Sequence, residues 1–168
     1  MSYTPSAALH ASIGQVLLGL NLILDKAVIH AKENDIDEAV YLSWRLTSDM
    51  FDMKRQVQIA TDIAGRGLAR LAGVELPSIP DEETSFVELK ERIAKVQSYI
   101  ADLDNAAIDA DMDGDITVPA RGSEITMKRQ QYVQNFILPN VYFHVTMAYS
   151  LLRQCGVPLG KMDFLARS

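Results

Sequence analysis

The sequence predicts an all-α fold: an antiparallel four-helix bundle with one small β-ribbon between the third and fourth helices. Two observations carry that prediction. Apolar residues recur at three- and four-residue steps in four long segments, and each segment has a single apolar stripe that must be covered by another helix. A chain of 168 residues that is 48% hydrophobic can bury one continuous core, so residues 1–168 are expected to form one domain.

In the first helix the stripe is Leu9, Ile13, Val16 or Leu17, Leu20, Leu24, Ala27 and Ala31, and the pattern stops near Glu33 and Asn34. Asp35 or Asp37 can cap the next helix, with Glu38 near the positive end of its dipole. Leu46, Met50, Met53, Val57, Ala60, Ala64, Leu68 and Leu71 then predict one unbroken second helix, closed by Gly73. Val74 to Glu83, with Pro77 and Pro80, reads as a surface connection.

Ser85 and Glu88 have the spacing of a capping box, and Phe86, Leu89, Ile93, Val96, Ile100 and Leu103 follow as the third stripe. Glu88 with Arg92, and Glu91 with Lys95, are expected to pair on its solvent face. Within the polar stretch Asp109 to Glu124, Ile116-Thr117-Val118 and Glu124-Ile125-Thr126 flank Pro119 to Ser123, which suits a two-stranded ribbon. The last helix is expected from about Lys128 to Gln154, ended by Gly156 and Pro158, with a short tail through Phe164 and Leu165.

A net charge of −6 repels nucleic acid and anionic lipid, so neither is expected as a partner. The longest apolar run, Val16 to Leu24, is interrupted by Gly19 and Asn21 and is shorter than the ~20 residues a membrane span needs. Met1 to His10 has no basic segment ahead of an apolar one, which makes the cytoplasm the expected location. The single cysteine, Cys155, excludes an internal disulfide framework and a thiolate metal cage. It projects near the core as a small hydrophobe.

The informative anomaly is on the fourth helix. Val133, Phe136, Ile137, Met147, Ala148 and Leu151 define its core face, and Asn140 and His144 project into the middle of that face. Burying each without a partner costs about 1–3 kcal/mol, so partners or a polar cavity must be supplied. Pro139 removes a backbone donor and should open the helix there. Asp49 and Gln56 lie along one edge of the second stripe, so a ligand pocket of Asp49, Gln56, Asn140 and His144 is geometrically available. His144 is its best catalytic candidate, as a general base or the sole strong ligand, and the alternative is a core histidine hydrogen-bonded to Asp49 or Gln56 that only sets helix register.

Other motifs carry less. Asp109, Asp111 and Asp113 before Gly114 resemble the opening of a calcium loop, but position twelve is Ala120 and no helix follows in register. His10 and His30 sit at the border of the first stripe. No nucleotide-binding loop, nucleophile elbow or zinc-protease motif is present.

Leu138-Pro139-Asn140, Tyr142-Phe143-His144, Ala148-Tyr149, Leu152-Arg153 and Gly156-Val157-Pro158-Leu159-Gly160-Lys161 resemble a family of uncharacterised bacterial domains. So do Asp163-Phe164-Leu165, Asp25-Lys26-Ala27, Arg45-Leu46, Asp49-Met50-Phe51, Gln56-Val57 and Ala69-Arg70-Leu71. That family is placed in the DinB/YfiT-like superfamily of four-helix bundles, many of which hold a divalent metal through three histidines and some of which are thiol transferases. The resemblance implies the fold and, as cofactor, zinc or nickel. The chain departs from the metal pattern: of the paired histidines of the last helix only His144 is present, with Asn140 in the partner place, and Gln56 stands for the second-helix histidine. Amide oxygens are weak ligands for these ions, and Asp49 could supply only one anion, so the metal site is expected to be lost or remodelled.

Three functions follow: a small-molecule pocket at His144; a thiol transferase-like enzyme in which Arg45 or Lys161 meets an anionic thiol; or a non-catalytic homodimeric module contacting its copy through Phe51, Tyr142 or Tyr149.

Overall fold

Helix α1, Pro5–Glu33, starts where the Thr4 hydroxyl accepts a hydrogen bond from the Ala7 amide, with Pro5 in the first turn. Its predicted stripe is buried throughout, from Leu9 to Ala31. The computed structural model describes residues 4–75, 77–120 and 122–167, without the side chain of Ala120. Met1–Tyr3, at the head of the stretch read for an export signal, Leu76 of the connection and Arg121 of the ribbon turn lie outside the described residues.

The second helix is not continuous. Asp37 caps a short α2, Glu38–Leu42, and α3 begins only at Met53 and runs to Leu71. Between them, small polar side chains satisfy the backbone and each other instead of propagating the helix: Thr47 donates to Asp49, and Asp52 accepts from the Arg55 amide as the α3 cap. The Met53 amide reaches back to the Trp44 carbonyl at 2.8 Å, which closes the loop. Leu46 is therefore exposed, whereas Met53, Val57, Ala60, Ala64, Leu68 and Leu71 are buried as predicted. Gly73 ends the helix with φ of 74°, a left-handed conformation that costs glycine little.

Helix α4, Phe86–Ala101, has the predicted capping box, Ser85 with Glu88. Its apolar stripe is buried, but so is Arg92, at 1% exposure. The expected Glu88–Arg92 surface pair does not form, because Glu88 is used by Thr84 and Ser85 at the cap. Arg92 turns inward to Glu83 (2.9 Å), Asp62, Asp81 (3.0 Å), Thr61 (2.9 Å) and the Pro80 carbonyl (3.1 Å). Burial opposes its charge, but Glu83 and Asp62 outweigh it and hold the guanidinium pKa above the usual value.

A short α5, Asn105–Asp109, leads to the antiparallel ribbon of β1, Asp115–Ala120, and β2, Ser123–Lys128, in the register Thr117 opposite Thr126. The aspartates of the calcium-like loop have separate tasks: Asp109 accepts from the Ser6 amide and hydroxyl, Asp113 from Gln130, and Asp115 pairs with Lys128. After a single turn, α6 (Arg129–Gln131), the chain makes a π-helical segment, Tyr132–Ile137, before α7, Leu138–Gln154. Pro139 accounts for the irregularity, since its missing donor and ring disrupt the bonding of the preceding turn. The Leu138 amide reaches the Val133 carbonyl, five residues back. Helix α8, Lys161–Phe164, lies on α1, where Lys26 and Asp163 pair at 2.7 Å.

The protein is thus largely helical, with one two-stranded antiparallel ribbon. Helices α1 and α3 each pack against both α4 and α7, and one cluster of buried side chains runs between them. By length and composition α1 could cross a membrane, but here Leu9, Ile13, Leu17, Leu20 and Leu24 are buried among the other helices, as in a core helix.

Candidate functional site

Gln56 lies in the first turn of α3 and His144 in the middle of α7, and the packing of these helices joins them. Gln56 is almost fully buried. Its Nε2 donates to the Phe51 carbonyl at 3.1 Å, so its Oε1 faces α7 and lies 2.7 Å from His144 Nδ1. An amide oxygen only accepts, so Nδ1 carries the proton and the neutral ring keeps its lone pair on Nε2. Nε2 has no hydrogen-bond partner among the described residues and is not sealed from solvent. Burial, then the positive charge of Arg55, push the His144 pKa below its ordinary value and keep the imidazole neutral. The Phe143 ring meets it edge-on, with centroids 5.2 Å apart.

The other two predicted pocket residues are not joined to this pair. Half-buried Asn140 donates to the Phe136 carbonyl at 2.7 Å, so its amide is spent on the irregular backbone before α7. Asp49 is fully exposed in the loop between α2 and α3, where the Thr47 hydroxyl holds its carboxyl below the usual carboxylate range. Its expected place beside Gln56 required the continuous second helix that the 43–52 loop replaces.

These donors do not fit zinc or nickel. Among the described residues no three His, Cys, Asp or Glu side chains gather as a metal site. His144 offers one nitrogen, while the oxygen of Gln56 already accepts from Nδ1.

A family profile described as "Domain of unknown function (DUF1993)" matches residues 8–165. The chain belongs to the DUF1993 family. The DUF1993 domain is similar to a solved structure described as a DinB family member protein from Shewanella denitrificans, at 36% identity and a TM-score of 0.87, covering 95% of this chain and 93% of that one. No curated protein matches it. The fold of this DUF1993 chain is DinB-like.

The cations considered for a thiol lie elsewhere in this DUF1993 domain: Arg45 is in the 43–52 loop, 3.6 Å from Asp52, and exposed Lys161 opens α8. Of the proposed dimer contacts, Phe51 (55%) and Tyr142 (39%) are exposed, while half-buried Tyr149 packs edge-on against Phe164. His10 bonds Asn105, and His30 bonds Tyr41, at 2.8 Å each. Burial pushes the Cys155 thiol up, as expected of a small hydrophobe. Arg55 and the Phe51 carbonyl escaped prediction because nothing in local spacing marks a loop carbonyl as the anchor of a buried amide.

Proposed function

We propose that this DinB-like domain binds a small molecule at His144 without a divalent ion. The observation that supports this is the fixed tautomer: Gln56 holds Nδ1–H and leaves Nε2 without a hydrogen-bond partner among the described residues and not sealed from solvent. Such a nitrogen accepts a hydrogen bond from a hydroxyl, thiol or ammonium, or takes the proton of a hydroxyl or thiol, and the positive charge of Arg55 favours the alkoxide or thiolate that results. The ring of packed helices supports the further reading of one domain built as an antiparallel four-helix bundle.

Nitrogen-15 spectra of the His144 ring, with metal analysis of untagged protein, test the proposal. An Nδ1–H tautomer, and a melting temperature unmoved by zinc or nickel, are the expected results. A stoichiometric ion whose removal lowers the melting temperature, or an Nε2–H tautomer, would end it.

A thiol transferase-like reaction is a second reading, favoured by the same neutral base beside a cation. Absence of thiol-transfer activity in the native chain would exclude it, and activity retained by His144→Ala would exclude His144 as its base. Exposure of Phe51 and Tyr142 supports a homodimer, which light scattering showing a monomer at high concentration would remove.

A further inference from the structure

A groove of about 310 Å³ runs between α3 and the π-helical segment; of its lining residues the reading of His144 uses only Arg55. Its α3 wall carries Arg55, Arg66 and Arg70, with Ile59 and Ile63 between them. The opposite wall is Tyr132 and Phe136, whose rings stack with centroids 5.3 Å apart and planes at 24°. Both rings belong to the π-helical segment, the kind of local irregularity that recurs at functional sites. Val118 and Pro119 of the ribbon form the rim.

The charge balance of the groove is opposite to that of the chain. Three arginines line it on a protein of net charge −6. Its single carboxylate, Asp62, is held by buried Arg92 and lies only loosely by Arg66, at 3.6 Å. Arg55 is paired with Asp81. Among the described residues Arg70 has no carboxylate partner: Nη1 donates to the Tyr132 hydroxyl at 3.0 Å, and its other side-chain N–H groups meet no acceptor there. A guanidinium anchored at one nitrogen, with the remaining donors free beside an aromatic pair, is preorganised for an oxyanion.

We infer that this groove binds a small organic anion, a carboxylate or phosphate attached to a flat apolar body. The oxyanion takes the free edge of Arg70 with Arg66, and the apolar body lies along Phe136 and Ile63. The volume is at the lower end of the ~300–1,000 Å³ usual for ligand pockets, which limits the body to about one ring.

Calorimetric titration with benzoate, phenyl phosphate and inorganic phosphate tests this, because it separates the two oxyanions and isolates the contribution of the ring. We expect 1:1 binding of at least one aryl anion, at least tenfold weaker binding of inorganic phosphate, and at least a tenfold loss in the Arg66→Gln/Arg70→Gln double variant. Amide shift mapping on the unaltered protein, independent of whether the variant folds, should place the perturbations on residues 59–70 and 132–136. Absence of binding by both aryl anions, equal binding of inorganic phosphate, undiminished binding by a folded double variant, or shifts confined to other surfaces would each overturn the assignment.

Discussion

His144 Nδ1 and Gln56 Oε1, 88 positions apart in sequence, are joined by a 2.7 Å hydrogen bond that ties α7 to the first turn of α3. Gln56 is itself tied to the Phe51 carbonyl, so three segments share one polar chain inside an otherwise apolar interface. The low dielectric there makes each link costly to break.

Gln56→Leu leaves Nδ1–H facing an apolar side chain. Its expected cost is about 1–3 kcal/mol in denaturant unfolding, the penalty of an unpaired buried donor. The substitution also frees the tautomer, so the ring nitrogen shifts of His144 should move together with stability.

The depressed pKa of His144 sets the sign of its pH dependence. Its unfolded form binds a proton near the usual value of 6.5, while the folded form resists it, so its stabilising contribution is complete above that pH. That contribution is lost as pH falls below 6.5 through the lower folded pKa. Unfolding curves of the native chain and His144→Gln should therefore converge in their pH slopes only above about pH 7, and parallel slopes down to pH 5 would contradict the assignment.

Arg92 is the anchor of the connection between α3 and α4. Removing it strands Glu83, which is 9% exposed, beside Asp62 and Asp81, so Arg92→Ala is expected to cost about 3–5 kcal/mol. Lys90→Ala, which breaks an exposed pair with Asp25, should cost about 0–1 kcal/mol. Chemical denaturation of the two variants compares them directly.

Gly67 lies where α3 meets the π-helical segment, and a Cβ there would stand 2.8 Å from Ile137 Cγ1. Gly67→Ala should destabilise by about 1–3 kcal/mol through overpacking. Combined with Ile137→Val, which removes the methyl 2.9 Å away, it should cost less than the sum of the single changes.

Much of the secondary structure was legible residue by residue. The stripes of α1 and α4, the Ser85–Glu88 box, the Gly73 cap and the ribbon of Ile116–Val118 with Glu124–Thr126 depend on neighbours within a few positions, and they stand where local chemistry placed them. The start of α3 was not legible, because Leu46 and Met50 continue a helical period that Thr47, Asp49 and Asp52 interrupt by bonding locally. That interruption removed Asp49 from the candidate site, while Asn140 was drawn off by the carbonyl of Phe136.

Apolar spacing alone determined which faces of α1, α3 and α4 would be covered and that His144 would be buried, since periodicity is a property of the chain. On α7 and the π-helical segment before it the covered face is turned, with Val141 and Val145 buried and Phe136 and Met147 only half-buried. The helical projection offered Asp49 or Gln56 as the partner of His144, and only the tertiary structure chose Gln56 and supplied the groups that answer Arg92. Their partners come from positions up to 88 residues away, and no local pattern specifies which distant oxygen a packed helix will bring within hydrogen-bond reach.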